Sequence, residues 1–313
     1  MSNIAFVFSG QGSQYIGMGK ELYDNFIICK EVFEKADKIL DFPISKLCFE
    51  GNKEELNKTE NTQPAILTLS YSIFKLLCEK NIKPKAMAGF SLGEYSALVC
   101  SNVIDFENGL ELIRKRGKFM DEAVPNNKGT MAAIIGIDED KVREVVNECK
   151  EFGFIDISNL NCPKQTVVGG EREAVIKACE VAKTKGAFKA VELAVSGPFH
   201  TKMLEEAAEK LEKELTKVEF SKPVVPIVSN CTGEYAKYDD IKGLLKKQVT
   251  STVLWEKSIR MMIDDGIDTF IEIGPGKTLI NLIKKINRNV KIFNIEDIKS
   301  LENTLNGLKN LKK

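Results

Sequence analysis

The 313-residue chain predicts an α/β fold: a largely parallel sheet flanked by helices, interrupted once by a small unit of different rhythm. Three observations carry this. Short apolar runs alternate with amphipathic stretches along the chain, as parallel strands and their crossover helices do. A Gly-x-Ser-x-Gly turn, Gly89-Phe90-Ser91-Leu92-Gly93, stands between an apolar run and a helical stretch. Between 129 and 195 the order becomes strand, helix, strand, strand, helix, strand, which is the βαββαβ order of a ferredoxin-like unit.

The elements follow in order. Residues 4–8 read as a short, fully buried strand, and Gly10-Gln11-Gly12-Ser13-Gln14 as a glycine-rich loop. A helical pattern fills about 20–40. Pro64 is expected to open a helix running to about Lys80, with Ile66, Leu69, Ile73, Leu76 and Leu77 along one side; proline suits a first helical turn, whose N–H groups have no partner anyway. Residues 85–90 form the strand entering the Ser91 turn and 92–100 the helix leaving it, the context this motif requires. Residues 107–124 form an amphipathic helix.

Within the small unit, strands are expected at 130–137, 155–160, 165–169 and 188–194, and helices at 139–150 and 172–185. Asn126-Asn127-Lys128-Gly129 precedes it and Ser196-Gly197-Pro198 follows. The domain boundaries are therefore 1–128 and 196–313 for a discontinuous core, and 129–195 for the insert. Beyond it come a helix at about 202–217, a strand at 224–229, helices near 240–247 and 254–265, and a strand at 269–273. Gly274-Pro275-Gly276 caps that strand before a helix at 278–286. The lysine-rich end, Lys309 to Lys313, reads as a fraying helix terminus.

Ser91 sits where a strand hands over to a helix. Small residues at 89 and 93 let the backbone turn tightly and push the hydroxyl outward. The helix presents free N–H groups and its positive end to a developing oxyanion, with the Leu92 N–H as first donor. The alternative is a turn whose glycines serve packing alone. A serine hydroxyl needs a base, and the chain has one histidine, His200. It follows a Gly-Pro turn and is expected to begin a helix with Leu204, Ala207, Ala208, Leu211 and Leu215 inward. A helix N-terminus would keep the ring neutral. His200 is otherwise a capping or core histidine, and dyad and triad are both open because no aspartate identifies itself as a partner.

Arg116 lies on the buried stripe formed by Leu112, Ile113, Phe119 and Met120. Arg114 and Lys118 are about 200° round the helix and are expected to face solvent. A guanidinium on an inward face needs an anion, and its fork matches a carboxylate. That anion is either a ligand or an internal Asp or Glu. Gly117 beside it permits close approach of another element.

Composition narrows the function. Lys plus Arg equals Asp plus Glu, 45 each, which lacks the basic footprint of a nucleic-acid binder. The N-terminus has no basic leader with a long apolar run, and no stretch is apolar enough to span a membrane. Eight cysteines form no C-x-x-C pair and read as free, mostly buried thiols in a reducing cytoplasm. A single histidine argues against a His-rich or Cys/His metal cage. Gly274-Pro275-Gly276-Lys277-Thr278 fails as a phosphate loop, because the glycine required five residues before Gly276 is Ile271.

With these residues assembled, the chain resembles the malonyl-CoA:acyl-carrier-protein transacylases of bacterial fatty-acid synthesis. The likeness runs almost end to end. It rests on Phe8-Ser-Gly-Gln-Gly-Ser-Gln14, Gly17-Met-Gly19, Thr62-Gln-Pro-Ala65, Gly89-Phe-Ser-Leu-Gly-Glu-Tyr-Ser-Ala-Leu98 and Arg114-Lys-Arg-Gly117. It continues through Asn159-Leu-Asn161, Gly197-Pro-Phe-His200, the stretch from Gln248 to Trp255, and Glu272-Ile-Gly-Pro-Gly276. The resemblance implies a hydrolase-like core and an acyl-enzyme on Ser91 with His200 as base. It implies an oxyanion hole of the Gln11 and Leu92 backbone N–H groups, and a Gln248 carbonyl that orients His200. Arg116 would hold the malonyl carboxylate, with Met120, Gln63, Phe199 and Asn159 completing the substrate site. Malonyl-CoA and acyl carrier protein would be substrates of a cytoplasmic monomer that needs no cofactor. Alternatives are a polyketide-synthase acyltransferase, a serine thioesterase or esterase, and a non-catalytic carrier-docking module. Two positions depart from the common pattern: Phe90 stands where many members have histidine, and Thr252 where many have proline. Phe199 resembles malonyl-selective relatives.

Overall fold

In a computed structural model, residues 3–125 and 127–311 are described. The parts of the reading that fall on Met1, Ser2, Asn126, Lys312 and Lys313 lie outside them. The chain begins with β1 (Ile4–Phe8), α1 (Lys20–Asn25), α2 (Ile27–Leu40), α3 (Ile44–Glu50), α4 (Lys53–Asn57) and α5 (Thr59–Glu79). There follow β2 (Ala86–Gly89), α6 (Leu92–Cys100) and α7 (Phe106–Glu122). Next come β3 (Gly129–Ile135), α8 (Glu139–Cys149), β4 (Ile155–Cys162), β5 (Gln165–Glu171), α9 (Arg172–Thr184) and β6 (Lys189–Glu192). The chain ends with α10 (Glu205–Leu215), β7 (Ile227–Val228), α11 (Ile241–Thr250), α12 (Trp255–Asp264), β8 (Thr269–Ile273), α13 (Thr278–Ile286), β9 (Lys291–Ile295) and α14 (Ile298–Asn310).

Two sheets result. One is wholly parallel, in the order β7-β2-β1-β8-β9. Its central strands are continuous apolar runs because helices cover both faces. Phe6 and Phe8 of β1 join Met87, Ile271 and Ile273 in one core, while Ala5 and Val7 join Ala86, Ala88 and Phe270 in another. The other sheet is antiparallel, in the order β4-β5-β3-β6, and packs α8 and α9 over a core of its own. Strand β4 is tied to the segment between α11 and α12, where the Leu160 N–H bonds the Val253 carbonyl and the Val253 N–H bonds the Ser158 carbonyl, both at 2.9 Å.

The structure corrects several expectations. Pro64 lies inside α5, not at its start. The extra turn before it is held from outside: the Thr59 N–H donates to Asp121 of α7 at 3.1 Å. Gly117 lets α7 dock there, since a Cβ would lie 2.6 Å from the Thr59 carbonyl oxygen. The 20–40 pattern breaks into two helices at Phe26, which is extended. The strand at 224–229 shrinks to Ile227–Val228, because Pro223 and Pro226 lack ladder N–H groups. Helix α10 begins only at Glu205, after a 3₁₀ turn, so His200 lies in the turn before it. Arg114 is half-buried, with Nη1 donating to the Leu40 carbonyl at 3.0 Å and its guanidinium over Phe42.

The carboxyl ends of β1, β2, β7 and β8 carry the loops with Gln11, Ser91, Asn230 and Gly274. Ligand sites of open parallel sheets form at such ends.

Candidate active site

Ser91 caps α6 with φ 53° and ψ −106°, a conformation that side chains other than glycine rarely adopt. Such strain costs about 1–3 kcal/mol and persists only where the surroundings hold it. They do so here. A Cβ at Gly89 would lie 1.9 Å from the Gly93 carbonyl, and one at Gly93 would lie 2.2 Å from the Phe8 carbonyl oxygen. The Ser91 N–H donates to Asn230 Oδ1 at 2.7 Å, and Asn230 Nδ2 donates to the Gly89 carbonyl at 2.7 Å.

His200 is 4% exposed and also has a positive φ, 62°. Its Nε2 lies 2.8 Å from Ser91 Oγ, and its Nδ1 lies 2.8 Å from the Gln248 backbone carbonyl. A carbonyl only accepts, so Nδ1 carries the proton and the Nε2 lone pair faces the serine hydroxyl. No carboxylate touches the ring among the described residues. Burial, then the charge of Arg116, lowers the pKa of His200 from 6.5 to about 4, against the opposing Gln248 carbonyl. The ring is thus neutral at pH 7 through desolvation and a nearby cation, and not through a helix terminus as expected.

Arg116 is fully buried. Its Nη2 donates to Ser91 Oγ at 3.1 Å and to Gln248 Oε1 at 2.9 Å, and its Nη1 donates to Gln63 Oε1 at 2.8 Å. Its Nε has no partner among the described residues. The guanidinium lies 5.3 Å from the centre of the Tyr95 ring. No carboxylate lies at ion-pair distance among the described residues, so the internal ion pair considered above is absent. A desolvated cation with only neutral partners is open to an incoming anion.

Among the described residues no acceptor takes the N–H of Gln11 or Leu92. The Gln11 side chain is held by Thr59 Oγ1 at 3.2 Å, and Gln63 Nε2 reaches Gln11 Oε1 at 3.5 Å and Met120 Sδ at 3.8 Å. Phe199 and Asn159 are buried, but neither side chain bonds Ser91, His200 or Arg116. Phe90 packs edge-on against Trp255 with ring centres 5.5 Å apart. The Thr252 hydroxyl donates to the Ile157 carbonyl at 2.7 Å, a bond proline could not make.

Sequence reasoning missed three parts of this cluster: Asn230, Glu94 and the side chain of Gln248. Glu94 left a signal, since it is the one charged residue in the apolar helix Leu92–Cys100. Asn230 left none.

Residues 5–303 match the family described as the acyl transferase domain. The chain is 45% identical over 311 residues to a malonyl CoA-acyl carrier protein transacylase of Bacillus subtilis, covering 99% of this chain and 98% of that protein. A crystal structure of a malonyl CoA-acyl carrier protein transacylase from Clostridium perfringens superposes with a TM-score of 0.97 at 46% identity, covering 99% and 98% of the two chains. A malonyl-transacylase in complex with its type II polyketide synthase acyl-carrier protein has a TM-score of 0.95 at 38% identity, covering 98% and 100%.

Proposed function

This chain belongs to the acyl transferase domain family, and on that premise we propose that it moves a malonyl group from malonyl-CoA to the phosphopantetheine thiol of acyl carrier protein, supplying fatty-acid synthesis. The observation that carries this reading is that one hydroxyl, Ser91 Oγ, meets both the His200 Nε2 and the buried Arg116 Nη2.

In the first half-reaction His200 Nε2 takes the Ser91 proton and Oγ attacks the thioester carbonyl. The Gln11 and Leu92 N–H groups receive the oxyanion. The C–S bond breaks, the His200 proton goes to the coenzyme A sulfur, and malonyl remains as an ester on Ser91. In the second, His200 deprotonates the carrier thiol, sulfur attacks the ester, and the proton returns to Ser91 as the C–O bond breaks. The kinetics are ping-pong. The Gln248 carbonyl keeps the ring in one tautomer and stabilises the imidazolium that forms. Arg116 pairs with the free carboxylate of malonyl, with Gln63, Met120, Phe199 and Asn159 around it.

The transfer asks for no cofactor. All eight cysteines are unpaired, which supports a reducing cytoplasm, and among the described residues no helix is long and apolar enough to cross a membrane. We assign residues 129–195 to an inserted subdomain and treat the enzyme as a monomer. Intact mass after mixing with malonyl-CoA tests the reading. The wild type gains one malonyl group, stable in water until a carrier thiol arrives, and Ser91→Ala gains none. An adduct on that variant excludes Ser91 as nucleophile, and rapid loss to water in the wild type means a thioesterase.

A further inference from the structure

Glu94 and Glu272 are both buried carboxylates raised to about 7 by desolvation, and neither touches a reacting atom. Glu272 accepts from the Leu279 and Ile280 N–H groups and the Ser9 hydroxyl, so it caps α13. Glu94 does something else. Its Oε2 accepts from the Asn230 backbone N–H at 3.1 Å and from Gln248 Nε2 at 2.7 Å. Gln248 Nε2 also donates to the Ser91 carbonyl at 3.0 Å. The other end of that amide, Oε1, accepts a hydrogen bond from Arg116 Nη2.

A side-chain amide can face either way, but an ionised carboxylate accepts only. Together with the neutral Ser91 carbonyl, it holds the NH₂ end of Gln248 toward itself, and therefore the carbonyl end toward Arg116. We propose that Glu94 is a positioning residue: through the side-chain amide of Gln248 it aims the Arg116 guanidinium at the Ser91 hydroxyl, and so sets the preference for an acyl group that ends in a carboxylate. This rests on the reading of Arg116 as the partner of the malonyl carboxylate. The charged and titratable groups around Glu94 are Arg116 on α7, Tyr95 on its own helix, Cys231 after β7, and His200 across Gln248. None of them supplies a second ionised acceptor for the amide. Protonation of Glu94 leaves the neutral Ser91 carbonyl to hold that end of the amide, so the constraint weakens and the preference is pH-dependent.

The experiment measures kcat/KM for malonyl-CoA and acetyl-CoA from about pH 6 to about pH 8.5 in wild type, E94Q, Q248M and R116A. Glu94→Gln keeps the shape and one acceptor but removes the charged acceptor, leaving the Ser91 carbonyl alone to hold the amide's direction. Q248M keeps the backbone carbonyl that His200 needs and removes the amide, so it reads the same link if E94Q fails to fold. The wild-type malonyl-to-acetyl ratio falls as pH drops below about 7, whereas in E94Q and Q248M it is about tenfold lower at high pH and flat. A variant ratio within about threefold of wild type overturns the proposal, even if both rates fall together. So does a rise, because loss of a negative charge by itself favours an incoming carboxylate. R116A separates the two readings: if it leaves the ratio unchanged, the role of Arg116 fails, and if it alone collapses the ratio, only the role of Glu94 fails.

Discussion

Arg116→Ala is the most informative single change. The guanidinium is fully buried, its three hydrogen bonds go to neutral oxygens, and two of its five N–H groups, that of Nε among them, have no partner among the described residues. The desolvation cost of the cation is thus already present in the folded protein, and a malonyl carboxylate entering beside Ser91 recovers a charge-assisted pair in a dry site. Truncating one half of such a pair costs about 3–5 kcal/mol, or about 10² to 10⁴ in kcat/KM. Acetyl-CoA brings no carboxylate. For it the substitution removes only the bond to Ser91 Oγ and the charge that adds to burial in holding His200 low, so the loss is about tenfold or less. Release of coenzyme A thiol, followed with each donor at saturating carrier protein, supplies both numbers. Equal losses on the two donors would refute the pairing, and would mean that Arg116 serves the serine hydroxyl or the fold alone.

Further outcomes follow from the same geometry. Because His200 is held at about 4, acetylation of Ser91 by acetyl-CoA should keep its rate as pH falls past 6.5 and decline only near about pH 4, read by intact mass; a midpoint near 6.5 would show a solvated ring. In the same window the unfolded chain binds the His200 proton near 6.5 while the folded chain waits until about 4. That residue's contribution therefore falls as pH falls from about 6.5 to about 4, and His200→Asn should remove this part of the pH dependence of Tm. Gly89→Ala should lower Tm by more than about 5 °C, since its Cβ would meet backbone that cannot yield. Gly243→Ala, in the exposed part of α11 with nothing within 4 Å of the added Cβ, should instead stabilise by about 0.5–1 kcal/mol in denaturant titration.

What could be read from sequence were features with a local physical cause. The run Ile4–Phe8 is apolar because a central parallel strand is buried on both faces. The strand–turn–helix context of Ser91 follows from two glycines at positions where a Cβ meets backbone. Arg116 could be placed inward from the 3.6-residue repeat alone. Pro64 was misplaced for the converse reason: its helix starts early because Asp121, far along the chain, accepts the Thr59 N–H, and helix rules weigh only neighbours.

The polar cluster shows the same limit more sharply. Asn230, Gln248 and Glu94 lie on three separate elements, and a hydrogen bond between residues 139 or 157 positions apart leaves no period in the chain. The pKa of His200 was likewise invisible, since burial and the approach of Arg116 set it. By itself the amino-acid sequence determined which groups are present, the turn that exposes the serine and the helix face that buries the cation, because each follows from backbone sterics and side-chain periodicity over a few residues. Only the tertiary structure decided that the hydroxyl, the imidazole, the guanidinium and a backbone carbonyl meet within hydrogen-bond distance, because strand order brings the carboxyl ends of the parallel sheet, and the loops beside them, to one place.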